Sequence, residues 1–218
     1  MTDHLTDRLF VAPGSCRVES SVSRLVVDPE RFPTDEDEPM SRIGMGAIYE
    51  VGHDLRRIRA KLHAEQRTAL LNSWYVPHHE RLEGVVSAAL RQHNSVMIVD
   101  CHSFASRPLP YEPDQSSDRP EICIGTDPFH TPPFVTTSLV ESFKDAGYSV
   151  HVDRPYSGAI VPGRYYRREA RVRSVMIEVR RDLYCDESTG VAISGFGRVR
   201  DDITRAIRAL DMAARTAG

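Results

Sequence analysis

The clearest pattern in the chain is an aliphatic run at 96–99 that passes directly into the polar sequence Asp-Cys-His-Ser at 100–103. A short aliphatic run of this kind indicates a buried β-strand. In open α/β sheets, residues at the carboxyl ends of the strands line the crevice that binds ligands. The pattern therefore places Asp100 and His102 at a candidate functional site.

Further apolar runs predict strands that carry or precede charged residues. These are 21–28, which ends on Asp28; 121–125, followed by Asp127; 148–152, followed by Asp153 and Arg154; and 174–179, which contains Glu178. If most of these strands are parallel, their carboxyl ends form one crevice around His102.

Amphipathic patterns predict helices between these strands. Their ranges are 2–10, 53–72, 82–94, 132–147 and a closing helix that includes 199–210, with a break at Pro77 between the second and third. In the first of these, Asp3 and Asp7 are four residues apart and would share one face. Strands that alternate with helices predict an α/β sheet covered on both faces.

Composition limits the class of protein. The 218 residues, 40% hydrophobic and 27% charged, are typical of one globular domain, and the net charge of −3 argues against a nucleic-acid partner. No apolar stretch approaches the roughly 20 residues that span a bilayer. The four cysteines form no Cys-x-x-Cys pair and follow no secretory leader, which favours a reduced, cytoplasmic protein.

Two residues are candidates for chemistry, each with a structural alternative. His102 can bind a metal or act as a base with Asp100 on its other ring nitrogen, but a structural histidine at a strand end explains the sequence equally well. Burial of Glu178 among apolar residues would raise its pKa toward that of a general base. A salt bridge to Arg180 or Arg181 is the alternative.

The neighbours of His102 are weaker candidates. Cys101 is expected to point to the opposite side of the strand, as a small buried residue. Ser103 lacks the Gly-x-Ser-x-Gly pattern of a nucleophile elbow, which disfavours a serine hydrolase. Arginines near the strand ends favour an anionic substrate, although each one alone is more often a surface residue.

Several segments, in their order and spacing, resemble the N-formylglutamate amidohydrolases over nearly the whole chain. They are 2–10, 23–28, 31–32, 44–46, 77–79, 100–103, 154–158 and 177–184. The resemblance implies a three-layer α/β/α fold with a central mixed, mostly parallel sheet, similar to phosphorylase/hydrolase-like and zinc-carboxypeptidase-like proteins. It implies one domain over residues 1–218 that lacks an N-terminal strand.

The same resemblance implies hydrolysis of N-formyl-L-glutamate, or a related N-acyl amino acid, to formate and glutamate, a late step of some histidine degradation pathways. A divalent cation, with zinc expected, would polarise the formyl oxygen and activate water. The implied metal ligands are His102, Asp3 and Asp7, and the implied base is Glu178. The implied contacts to a small anionic amino-acid derivative are Arg24, Arg31, Arg154, Arg181, Tyr156 and His79.

The sequence departs from the family at one important motif. Family members carry Pro-His-Ser-Gly or Pro-His-Gly-Gly on an earlier strand, and the histidine of that motif is a metal ligand. Its absence leaves the site a ligand short, unless His79 or His151 substitutes. Glu30 and Asp153 stand where relatives often have Asn. Two hypotheses stay open: a metal-dependent amidohydrolase, or a non-catalytic protein that binds a small anion without metal.

Overall fold

Four strands form one sheet in the order β1-β4-β2-β3 in the computed structural model. They are β1 (Val96–Phe104), β2 (Ile122–Gly125), β3 (Val150–Val152) and β4 (Val172–Arg180). The pairs β1/β4 and β2/β3 are parallel, whereas β2 and β4 are antiparallel. The sheet is therefore mixed and mostly parallel, with helices on its sides, and the predicted α/β class is confirmed.

Within the described residues, five α-helices accompany the sheet. They are α1 (Thr6–Leu9), α2 (Ala64–Leu70), α3 (Val76–His93), α4 (Pro133–Asp145) and α5 (Phe196–Thr216), with a π turn at Leu71–Tyr75 and 3₁₀ turns at Pro39–Ile43 and Arg181–Leu183. None of the helices in the described chain combines the length and apolar character that a membrane span requires.

The structure describes residues 2–216 and separates them into two units. The first contains Cys16–Ala88 and Pro108–Gln115, together with Thr2. The second contains Asp3–Ser15, Ala89–Arg107 and the chain from Ser116 onwards, and so holds the whole sheet.

Alternation along the strands divides the sheet into an apolar face and a polar face. The apolar face forms the core with α4 and α5: Val99 and Cys101 of β1, Val175, Ile177 and Val179 of β4, Ile122 and Ile124 of β2, Leu139 and Phe143 of α4, and Ile203 and Leu210 of α5. Each fully buried aliphatic or aromatic side chain contributes roughly 1.5–3 kcal/mol. The expected inward orientation of Cys101 is confirmed, and its neighbour His102 faces the other way.

Two predicted elements of the first unit are wrong. Residues 21–28 form turns instead of a strand, because the Ser23 carbonyl and hydroxyl accept hydrogen bonds from the backbone N–H groups of Val26 and Leu25. The helix predicted over 53–72 begins only at Ala64. Before it, Leu55 has a left-handed φ of 61°, which closes a turn on Gly52 and interrupts any helix.

The break predicted at Pro77 is also wrong. The helical path continues through the π turn into α3, where the Val76 N–H bonds to the Leu71 carbonyl, five residues back. A proline ring clashes with the carbonyl four residues before it in a regular α-helix. The wider π turn lies at that position and accommodates the ring without ending the helix.

Candidate active site

The ring of His102 lies between two carboxylates on the polar face of the sheet. Its Nε2 is 2.8 Å from Asp100 Oδ1, and its Nδ1 is 3.6 Å from Asp3 Oδ2. Asp100 precedes His102 by two residues on β1, so both side chains lie on the same face. The backbone N–H of Ile160 donates to the second oxygen of Asp100, at 3.1 Å.

The two carboxylates set the protonation of His102. Burial of the ring opposes the charged form, but Asp100 and then Asp3 outweigh it and raise the pKa of His102 well above its usual value near 6.5. Without a metal ion, the ring is therefore an imidazolium that donates to Asp100 and forms an ion pair with Asp3. A bound cation would have to displace the proton on one nitrogen.

Asp3 reaches this site from outside helix α1, although it lies inside the helix predicted over 2–10. Helix α1 begins only at Thr6, so Asp3 precedes it, and Asp7 is exposed on its surface. The expectation that Asp3 and Asp7 share one helical face is wrong. The two oxygens of Asp3 divide between partners: Oδ1 accepts from the Ser103 backbone N–H at 2.8 Å, and Oδ2 faces His102.

Glu178 is the residue of β4 paired with His102 of β1, and it is 7% exposed. On its other side, Glu178 is paired with Cys123 of β2, which in turn is paired with His151 of β3. Register partners lie on the same face of a sheet. A row of chemically active side chains therefore crosses the polar face from one edge strand of the sheet to the other.

This row excludes His151 as a shared ligand with His102. Neighbouring strands are about 4.8 Å apart, so three steps place the two residues roughly 14 Å from each other. Burial raises the pKa of the Cys123 thiol to about 11, and its Sγ bonds the Tyr156 carbonyl at 3.2 Å. Cys123 is thus a protonated, packed thiol.

The direction of β2 corrects the expectation of a single crevice of strand ends. The strands β2 and β3 run opposite to β4. Asp127 and Asp153, which follow β2 and β3, therefore lie toward the end of the sheet opposite to the carboxyl ends of β1 and β4. Asp153 has a left-handed φ of 54° and accepts two hydrogen bonds from Thr126. Asp and Asn adopt that conformation more readily than other side chains, so the position has a structural role.

The segment after β3 nevertheless folds back across the polar face. Tyr156 packs edge-on against Phe104 of β1, with ring centroids 5.7 Å apart, and its hydroxyl accepts from Arg119 at 3.2 Å. Gly125 permits this path, because a Cβ there would lie 2.5 Å from the Gly158 carbonyl oxygen. Arg154, at the start of the segment, is exposed.

Arg181 begins the 3₁₀ turn after β4 and bonds the residue next to His102. Its Nε donates to the Ser103 hydroxyl at 3.1 Å, and a terminal nitrogen donates to the Ser103 carbonyl at 2.9 Å. The sequence gives no sign that Arg181 contacts Ser103, since the two residues are 78 positions apart. The sequence also gives no sign that the Tyr184 hydroxyl donates a hydrogen bond to the His4 carbonyl.

In the first unit, Arg24 and Arg31 converge on one buried carboxylate. Each lies 3.8 Å from Asp28 Oδ2, which also accepts from the Tyr49 hydroxyl at 2.6 Å. Asp28 is 1% exposed, and Arg31 pairs in addition with the buried Glu38 at 3.5 Å. The sequence motifs include the two arginines, but none of them includes Tyr49.

His79 also lies in the first unit, on α3. Its Nε2 is 2.9 Å from the Pro29 carbonyl oxygen, and its ring packs on Tyr75 with centroids 4.2 Å apart. Burial lowers the pKa of His79, and the hydrogen bond to Pro29 offsets this only in part. The ring is therefore neutral, with Nε2 donating to the backbone.

The donors around His102 suit a divalent cation. Two ligands of one zinc ion, each about 2.1 Å from it at a tetrahedral angle, are about 3.4 Å apart. The observed 3.6 Å between His102 Nδ1 and Asp3 Oδ2 matches this spacing. Asp100 on Nε2 is the carboxylate partner that metal-bound histidines usually have. Catalytic zinc usually takes three protein ligands, and His102 Nδ1 and Asp3 Oδ2 could supply two of them.

Comparisons with known proteins identify the family and the fold. The family model of N-formylglutamate amidohydrolase (FGase) matches residues 1–185. A solved N-formylglutamate amidohydrolase from Ralstonia eutropha is 22% identical, with 88% of this chain and 75% of that chain covered and a TM-score of 0.72. A gene product from Agrobacterium tumefaciens is 22% identical, with 87% and 69% covered and a TM-score of 0.59. No curated protein matches the sequence. The two structures show a shared fold.

Proposed function

Because the chain belongs to the N-formylglutamate amidohydrolase family, we propose that it hydrolyses the amide of N-formyl-L-glutamate with the help of a divalent cation. The products are formate and L-glutamate. Zinc is the expected cation, since an imidazole nitrogen and a carboxylate oxygen are among its preferred ligands. His102 and Asp3 are the proposed ligands.

One observation carries the proposal: the His102 and Asp3 donors lie 3.6 Å apart, directly beside the buried carboxylate of Glu178. A hydrolase of this kind needs a site for a Lewis acid and a base within reach of it. The paired positions on β1 and β4 bring these two functions side by side. The sequence alone identified both residues but not their adjacency.

Each protein group then has a defined task. Asp100 accepts from His102 Nε2, which leaves Nδ1 as the nitrogen that ligates the ion. The bound cation would polarise the formyl carbonyl and acidify a water molecule. Glu178 takes a proton from that water as the water oxygen bonds to the formyl carbon, and then delivers the proton to the departing amine nitrogen. The amide C–N bond therefore breaks without an unstable amide anion.

The substrate carries two carboxylates, and arginine suits them because its guanidinium binds carboxylates through two parallel hydrogen bonds. In the second unit, Arg154, Arg181 and Tyr156 are the proposed contacts. Arg24, Arg31 and His79 of the first unit stay candidates for the same role. The four arginines among these residues are consistent with an anionic substrate.

The test is formate release by purified protein, before and after removal of metal with a chelator and after reloading with zinc. We expect turnover of N-formyl-L-glutamate only in the zinc-loaded protein. N-formyl-L-leucine, which lacks the second carboxylate, is the control substrate and should react more slowly.

Two outcomes would redirect the proposal. Zinc-bound protein that cleaves another N-acyl amino acid but releases no formate would point to a different amide substrate. Calorimetric binding of glutamate that is equal with and without chelator, with no turnover of any amide, would favour the non-catalytic binding protein.

A further inference from the structure

We infer that Ser103, Arg181 and Tyr184 form an anchor that fixes the Asp3 carboxylate beside His102, which makes them positioning residues for the metal site. This inference rests on the proposed function for its purpose, but the contacts that carry it are independent of any metal. We refer to the three residues as the Asp3 anchor.

The first contact divides the oxygens of Asp3 between two tasks. The Ser103 backbone N–H donates to Oδ1 at 2.8 Å, and the Ser103 hydroxyl lies 3.3 Å from the same oxygen. Ser103 follows His102 on β1 and is 4% exposed. With Oδ1 held by the edge of the strand, Oδ2 is turned toward His102 Nδ1.

The second contact orients the serine itself. A guanidinium only donates hydrogen bonds, so the Ser103 hydroxyl oxygen must accept from Arg181 Nε at 3.1 Å. Its own proton is then directed to Asp3. The terminal nitrogen of Arg181 also holds the Ser103 carbonyl at 2.9 Å, so the planar fork fixes both groups of the serine.

The third contact holds the backbone next to Asp3. The Tyr184 ring is 0% exposed, and its hydroxyl donates to the His4 carbonyl at 2.8 Å. Gly190 packs so closely that a Cβ there would lie 2.8 Å from His4 Nδ1. Both sides of His4 are therefore in contact with the loop that follows β4.

The backbone at Leu5 is strained, and the contacts described above hold it in that conformation. Leu5 has a left-handed φ of 60°, a conformation that is unfavourable for an L-residue with a Cβ. It turns the chain between Asp3 and α1, whose Leu9 is completely buried in the core. Strain of this kind persists only where surrounding contacts fix it, and it clusters at functional sites.

The anchor has a direct consequence for metal affinity. Asp3 lies on a segment outside the sheet, and a ligand on a loosely held segment must lose conformational freedom when it binds an ion. The anchor removes that freedom during folding. Outer partners that orient metal ligands typically change metal affinity by 10–100-fold when they are lost.

The experiment compares Y184F with Y148F, a matched loss of a buried tyrosine hydroxyl. Tyr148 is 7% exposed, and its hydroxyl donates to Asp202 of α5, on the core side of the sheet. Zinc affinity is measured by chelator competition, and amide hydrogen exchange of the Ser103 N–H is measured in the metal-free proteins. S103A, which keeps the backbone donor, is a second variant.

We expect Y184F to weaken zinc binding by about 10-fold or more and to accelerate exchange at Ser103, with a smaller effect in S103A and none in Y148F. Wild-type zinc affinity in both Y184F and S103A, or unchanged exchange at Ser103 in Y184F, would overturn the inference. If the unmodified protein binds no zinc but Y184F exchanges faster, the anchor stands and the proposed metal function fails.

Discussion

Glu178 lies directly beside His102, on two neighbouring parallel strands and on the same face of the sheet. Parallel pairing places both residues at the same height, two positions from the carboxyl ends of β1 and β4. As the proposed metal ligand and the proposed base, His102 and Glu178 would act on the same substrate molecule. The roles of the two residues are therefore separable by mutation.

Replacing Glu178 with Gln tests the base. We expect E178Q to lose turnover by about 10²–10⁴-fold, because an amide cannot carry the proton, while zinc content stays at the wild-type level. The measurements are kcat for formate release and metal analysis. E141Q, on the exposed surface of α4, is the control. Wild-type turnover in E178Q would remove Glu178 from the mechanism.

Asp100 tests the orientation of the histidine. Its Oδ1 accepts from His102 Nε2, so D100N exchanges a charged acceptor for a neutral amide and weakens the preference for the ligating tautomer. We expect zinc affinity to fall by about 10–100-fold, measured by chelator competition. The exposed Asp118 provides the control D118N. Equal affinities in the two variants would argue against this role.

Asp28 tests the energetics of the first unit. The buried carboxylate faces both Arg24 and Arg31 and accepts from Tyr49, so D28A removes one of the two carboxylates near Arg31 and leaves the Tyr49 hydroxyl without its acceptor. We expect the free energy of unfolding to fall by about 3 kcal/mol or more in urea titrations. D54A breaks an exposed pair with Arg56 and should cost less than about 1 kcal/mol. Similar losses in both variants would contradict the assignment.

The cysteines test the assignment of Cys123 as an inert thiol. All four cysteines are free, Cys16 is exposed, and Cys123 is buried with a pKa of about 11. Because only the thiolate reacts, iodoacetamide at pH 8 should label Cys16 rapidly and Cys123 only after unfolding. Mass spectrometry of the labelled peptides gives the measurement. Fast labelling of Cys123 in the native protein would show an activated thiol.

His79 gives stability a defined pH dependence. Burial lowers its pKa in the folded state, so as pH falls below about 6.5 the unfolded chain takes up the proton first. The contribution of the neutral His79 ring to folding stability is complete above a pH of about 6.5. It is lost as the pH falls through the pKa of His79 in the folded protein. We expect the difference in unfolding free energy between wild type and H79Q to shrink between pH 7.5 and 5.5. The difference for H93Q, an exposed histidine at the end of α3, should change less.

The strands of the site were predictable from the sequence because each contains a run of apolar residues or an alternation of apolar and polar residues. The residues 96–99 and 174–179 lie in β1 and β4, and the closing helix appears as α5. A hydrophobic pattern indicates which residues of a strand are buried, but not whether the strand runs parallel or antiparallel to its neighbour. The antiparallel direction of β2 was therefore not predicted. That reversal moves Asp127 and Asp153 away from the carboxyl ends of β1 and β4.

The contacts of the first segment were beyond sequence patterns for another reason. The spacing of Asp3 and Asp7 fits a helix, but Leu5 adopts a left-handed conformation that only the surrounding fold stabilises. The partners of Asp3 and His4 come from residues about 100 and 180 positions later, Ser103 and Tyr184. Local propensity contains no information about such long-range hydrogen bonds.

The π turn at Leu71–Tyr75 gives the helical path from Ala64 to His93 one residue more than regular α-helical winding needs. Deleting a single residue there would restore regular α-helical winding. The ring of Pro77 would then meet the carbonyl of the residue four positions before it. The chain length of this helix is therefore as constrained as its composition, and an insertion or deletion here is expected to be less tolerated than most substitutions.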